Sequence, residues 1–194
     1  MVTLLLDSSF RGLAVGLADE HKIMDEIAYD AWQRQSELLV PELDRILKRN
    51  NLTRNDIADV MVSIGPGSYT GVRIALTVAK VVSFALDVPL YAVSSLQILK
   101  VEDKPTIVVI NARSGRSYVG VYQGSTTLVP DCVMTNAEVL DYCKQHPDYL
   151  VGGDAAHLGL DAHAVDPLTE MFSLKKSTSP VKEKLGLTPT YLKD

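Results

Sequence analysis

The feature that most restricts how this chain can fold is an internal register. Leu6-Asp7 and Ile110-Asn111 stand 104 residues apart, and Val15-Gly16-Leu17 and Val119-Gly120-Val121 keep the same offset. A fixed offset between strand pairs is the mark of a duplicated supersecondary unit. Reading outward from these anchors, residues 2–6, 13–18 and 22–29 form three β-prone runs, and residues 36–49 carry Leu39, Leu43, Ile46 and Leu47 on one helical stripe. Pro41 either opens or kinks that helix, and Asn50-Asn51 ends it. Residues 59–64 read as a strand, 65–71 as a glycine-rich turn, 70–87 as a long helix stopped by Asp87-Val88-Pro89, and 90–93 as a strand. In the second half, 106–110, 117–123 and the weaker 126–134 are strands, 136–145 a helix and 149–151 a strand running into Gly152-Gly153-Asp154.

The order β-β-β-α-β-α, given once in full and once in reduced form, predicts an α/β protein of two related lobes, residues 1–103 and 104–194, the second shortened. Two such lobes are the plan of the actin-like (ASKHA, RNase H-like) class shared by actin, sugar kinases and Hsp70, in which nucleotide sits between the lobes near acidic turns that follow the first strands. Asp7 occupies such a turn. Its second-lobe counterpart is Asn111, which keeps the shape and loses the charge that would help to hold a metal–nucleotide complex.

Composition narrows the function. At 46% hydrophobic and 22% charged residues the chain can build a core and stay in solution. No run is long enough to cross a bilayer, and the opening Met1-Val2-Thr3 stretch lacks a basic leader, so a cytoplasmic location is expected, away from any membrane. Cys132 and Cys143 form no CxxC pair and read as reduced structural thiols. A net charge of −5 argues against independent RNA binding, and Lys175, Lys176, Lys182 and Lys184 lie in a Ser/Thr/Pro-containing segment that reads as a solvated connection. His21, His146, His157 and His163 include no i,i+4 pair, and His157 and His163 beside Asp154 and Asp161 fall short of a converging metal-ligand set. No Ser, Cys or Thr stands in a nucleophile-elbow context, so nothing supports a peptidase. No metal site and no catalytic residue is expected.

The turn Gly65-Pro66-Gly67-Ser68-Tyr69-Thr70-Gly71 joins a buried strand to a helix, where backbone N–H groups can receive an anion. It matches neither the P-loop nor GxGxxG, and Pro66 removes a donor. A tight turn with Ser68 or Thr70 capping the helix stands level with ligand binding. The helix that follows has a narrow polar stripe, Arg73, Thr77 and Lys80, on an otherwise apolar surface, so it must be covered on more than one side. Together with helix 36–49 it offers a two-helix surface for a four-helix contact, with Leu39, Leu43, Ile46, Arg73, Ile74, Thr77, Val78 and Val81 as candidate interface residues.

Residues 65–96, GPGSYTGVRIALTVAKVVSFALDVPLYAVSSL, together with the opening LLLDSS, Ala112-Arg113 with Tyr118-Val119-Gly120-Val121-Tyr122, Gly152-Gly153-Asp154 and the closing Pro189-Thr190-Tyr191-Leu192, resemble the bacterial TsaB (YeaZ) family. The resemblance implies a non-catalytic scaffold that pairs with a TsaD-like paralogue and a TsaE-like ATPase to form threonylcarbamoyl-adenosine beside the tRNA anticodon. It implies a homodimer when the paralogue is absent, contact with tRNA only through the complex, and no cofactor of its own, with ATP or ADP placed at an interface of the complex. In the paralogue an HxxxH pair on the first helix binds metal; the corresponding stretch here is Gln33-Arg34-Gln35-Ser36-Glu37. Asn111, where the family usually has Asp, and a segment after residue 160 poor in helical pattern depart from the family. The alternative reading of the same lobes is an actin-class ATPase or small-molecule kinase.

Overall fold

In the computed structural model, which describes residues 1–101 and 103–192, the first sheet contains β1 (Val2–Asp7), β2 (Gly12–Ala18), β3 (Ile23–Asp30), β4 (Ile57–Ser63) and β5 (Leu90–Val93), in the order β3-β2-β1-β4-β5. All six residues of β1 are buried because the strand is central, antiparallel to β2 and parallel to β4. A strand covered on both faces reads as a continuous apolar run. The two-residue period divides it: Leu4 and Leu6 face the core beneath α1 (Gln35–Arg49) and α2 (Tyr69–Ala85), while Leu5 faces the opposite side.

That opposite side is covered by α4 (Pro167–Leu174), whose Leu168, Met171 and Leu174 pack with Leu5, Ala14 and Met61. The segment after residue 160, expected to lack helical order, therefore holds a helix, and it lies on the first sheet although the sequence grouped it with the second lobe. Eight residues are too few for a periodicity to register. The Asp166 carboxylate accepts from the Leu168 and Thr169 amides, and Pro167 opens the helix, a cap signature that was present in the sequence. Lys100, on the segment joining the two lobes, forms a buried ion pair with Glu170 of α4 at 2.5 Å.

The second sheet contains β6 (Thr106–Arg113), β7 (Arg116–Gln123), β8 (Thr126–Thr135) and β9 (Leu150–Gly153), in the order β8-β7-β6-β9. Before β9 comes α3 (Asn136–Gln145), which packs Val139 against Ile107, Val109, Val119 and Val121. The other face of this sheet, Val108, Ile110 and Tyr122, meets Leu96 and Phe10 of the first lobe. Asp131 ties this junction together by accepting from the Tyr122 hydroxyl and from Ser94 Oγ at 2.5 Å. Burial and the Asp131 charge push the Tyr122 hydroxyl far above the ordinary tyrosine range.

Two sequence expectations need correction. Leu39, Leu43 and Ile46 are buried against the first sheet, so the apolar stripe of α1 faces its own core and offers no partner surface. The helix also begins six positions before Pro41, which lies inside it on the solvent side. The lysine-bearing tail is not a solvated connection: Lys175 Nζ binds Asp59 at 2.7 Å, and Lys184 Nζ donates to the Val88 carbonyl at 2.8 Å. Lys80 Nζ in turn donates to the carbonyls of Leu185 and Leu187, so residues 181–191 run as a strap along α2. Lys176 and Lys182 remain exposed.

Candidate functional site

A cleft of about 660 Å³ opens between the lobes. Its first-lobe wall includes Phe10, Arg11, Trp32, Gln35 and Ile74 with loop residues Gly67, Ser68, Tyr69, Thr70 and Gly71; its second-lobe wall includes Ile110, Asn111, Arg113, Tyr118 and Asp154. Asp7, Gly65 and Pro66 are not part of this lining. Asp7 is buried, its Oδ1 accepting from the Ser63 hydroxyl and from the Ser9 amide.

The glycine-rich turn is held by its own backbone. Gly65 N–H donates to Ser95 Oγ at 2.9 Å, Ser68 N–H to the Ser9 carbonyl at 2.7 Å and Gly71 N–H to Ser68 Oγ at 3.2 Å; Pro66 has no N–H. Ser68 is thus the cap of α2, and four of the seven positions have no amide left for a phosphate. The glycines serve close approach: a Cβ on Gly67 would lie 2.3 Å from the Ser9 carbonyl oxygen and one on Gly71 2.0 Å from that of Ser8. Ser8 Oγ, donating to the Gly71 carbonyl and accepting from the Ala75 amide, pins α2 to the end of β1.

Across the cleft, the Asn111 carboxamide turns back on its own strand end and accepts from the Arg113 amide at 2.8 Å. Among the described residues no group of three or more His, Cys, Asp or Glu is placed to hold a metal ion. His157 Nε2 lies 2.8 Å from Ser117 Oγ. Ser117 is fully buried, and its hydroxyl donates to Asn136 Oδ1 at 3.0 Å, so its proton is directed away from the imidazole. A nucleophile needs the reverse arrangement. Asp161 and His163 are exposed and join no such cluster. Cys132 and Cys143 are free, and burial raises both thiol pKa values, which disfavours the thiolate needed for attack.

The sequence reading missed the aromatic mouth of the cleft. Trp32 is 46% exposed, held outward by a turn in which its amide donates to Asp30 Oδ1, and the Arg11 guanidinium stands 5.5 Å from its ring centre. Tyr69 lies under the Arg73 guanidinium at 4.6 Å and stacks on Tyr191 at 5.3 Å, so the strap ends at the cleft. The signal available was a lone tryptophan beside polar residues at the start of a helix.

The family model described as TsaD: tRNA N6-adenosine threonylcarbamoyltransferase matches residues 28–184. The tRNA threonylcarbamoyladenosine biosynthesis protein TsaB of Bacillus subtilis (strain 168) is 32% identical over 166 residues, covering 80% of this chain and 72% of the relative. The chain belongs to the TsaB (YeaZ) family. The TsaB of Buchnera aphidicola subsp. Schizaphis graminum is 28% identical over 134 residues, 66% of this chain and 63% of that protein. YeaZ from Pseudomonas aeruginosa superposes with a TM-score of 0.81 over 98% of this chain and 99% of that one, at 22% sequence identity. The TsaB fold seen here is accordingly the two-lobed actin-like fold expected from the duplicated element order, with the second sheet reduced to four strands.

Proposed function

We propose that this TsaB family member is a non-catalytic, cytoplasmic subunit in the formation of threonylcarbamoyl-adenosine on tRNA, docking a TsaD-like paralogue and acting with a TsaE-like ATPase. One observation carries the non-catalytic part: of the two positions where a two-lobed nucleotide enzyme places carboxylates, one is Asn111, and at the other, Asp7, Oδ1 is engaged by Ser63 and Ser9. The chain then holds no cofactor of its own, and ATP or ADP binds only where it meets its partner. No helix among the described residues is long and apolar enough to cross a membrane, which fits this setting. The test is depletion of the chain followed by mass spectrometry of digested tRNA. The modified nucleoside falls and returns on re-expression; an unchanged level overturns the assignment, and magnesium-dependent ATP turnover by the chain alone favours the kinase-like alternative.

The partner surface we assign is the outer face of α2. Arg73 and Thr77 are exposed there, Ile74 and Val78 are half-buried, and Val81 and Phe84 are 60% and 64% exposed, with Val40 of α1 55% exposed. Large apolar side chains exposed on one helix are the usual sign of a covered face. Phe84→Glu is expected to change monomer stability by less than about 0.5 kcal/mol while abolishing association with the paralogue, or with a second copy when the chain is alone. Val78→Glu, which forces a charge against the core, costs roughly 2 kcal/mol or more. Analytical ultracentrifugation alongside urea unfolding separates the two effects; equal loss of association and stability in both variants would remove this face as the interface.

A further inference from the structure

The cleft mouth carries a composition that the reading above leaves unused. In a chain of net charge −5, its lining holds Arg11 and Arg113 against the carboxylate of Asp154, with Asp30 paired to Arg11, so the cleft carries cationic groups without the protein's excess of negative charge. Low-dielectric walls concentrate such a field on an anion. Two aromatic rings stand at the rim: Trp32, exposed beside Arg11, which also pairs with Asp30, and Tyr69, already packed by Arg73 and Tyr191, so Trp32 is the ring open to a base. A ring for stacking beside a cation for a phosphate is how single-stranded nucleic acid is held.

A polyphosphate finds fewer groups to hold it here. In the turn that would cradle it the Gly65, Ser68 and Gly71 amides are engaged and Pro66 has none, which leaves those of Gly67, Tyr69 and Thr70, and Asp7 Oδ1 already accepts from Ser63 and Ser9. Arg11 stands beside Trp32 on one wall and Arg113 lies on the other, one cation for each of two phosphates flanking a stacked base. Gln33, Ser36 and Asn111 add amide and hydroxyl groups able to meet a ribose 2′-hydroxyl.

We infer that the interlobe cleft binds single-stranded RNA directly, stacking a base on Trp32 and placing phosphates against Arg11 and Arg113. This goes beyond the proposed function, in which RNA is held by the complex as a whole, and it does not depend on it: RNA binding and tRNA modification are read by separate experiments.

Trp32 is the only tryptophan in the chain, so its fluorescence reports the cleft without a label. The full-length protein is titrated at low salt with a single-stranded RNA of roughly ten nucleotides, inside the usual footprint of such sites, and in parallel with ADP, ATP and inorganic triphosphate. The expected result is saturable quenching by the RNA alone. Arg113→Gln, with an unchanged circular dichroism spectrum, weakens binding several-fold and lowers the slope of log affinity against log salt by about 0.7, the contribution of one phosphate on a single strand. Arg11→Gln, a second exposed position, gives the same direction. Absence of quenching by RNA, equal quenching by ADP or triphosphate, or indifference to both arginine substitutions overturns the inference.

Discussion

Gly71→Ala lowers the unfolding free energy of this protein by about 3 kcal/mol, at the upper end of what overpacking a core usually costs. The same exchange in an unobstructed helix would raise it by up to about 1 kcal/mol. The sign is therefore the diagnostic. A methyl group at Gly71 meets the Ser8 carbonyl oxygen at 2.0 Å, backbone against backbone, with no flexible side chain able to yield. Relief requires α2 to lift from the end of β1, which breaks the Ser8 hydroxyl's bonds to the Gly71 carbonyl and the Ala75 amide. Urea unfolding of the two proteins measures the effect. A neutral or stabilising substitution would show that the first turn of α2 does not sit on the β1–β2 turn as described.

Lys100→Met is the second large expectation, at a cost of about 3–5 kcal/mol, because it strands a buried Glu170 without its partner. Replacing both partners, Lys100→Met with Glu170→Leu, returns most of that loss, since well-packed apolar pairs often match buried ion pairs. The full double-mutant cycle, adding Glu170→Leu alone, yields a coupling energy from chemical denaturation; additivity of the single losses would mean that the pair does not interact in the folded protein.

What could be read in advance divides along physical lines. Residues 2–6 were legible as a strand from their apolar run, and residues 90–93 and 136–145 agree with the observed β5 and α3 because Pro89 before one and the Thr135–Glu138 capping box of the other punctuate them. Which way a helix faces was less legible. Leu39, Leu43 and Ile46 make as good an apolar stripe as any interface, and only the sheet beneath them decides that they are core. On α2 the stripe runs nearly round the helix, so the outward positions, Val81 and Phe84, emerge only from the packing. Asp7 illustrates a deeper limit: an aspartate after a first strand can serve a ligand or a serine, and its bond to Ser63, 56 residues later, is visible only in the fold. The cleft rim depended on contacts such as Arg11 with Trp32 and Tyr69 with Tyr191, pairings of distant segments that no local pattern encodes.

The return of residues 167–191 to the first sheet has a consequence for synthesis. A ribosome that has delivered residues 1–103 has delivered five strands and two helices, yet the side of β1 that carries Leu5 still lacks Leu168, Met171 and Leu174, and the Leu90 and Ile64 carbonyls still lack Val181 and Thr190. The lobe that emerges first is thus completed last, and an apolar surface waits, in need of shelter, while some ninety further residues are translated.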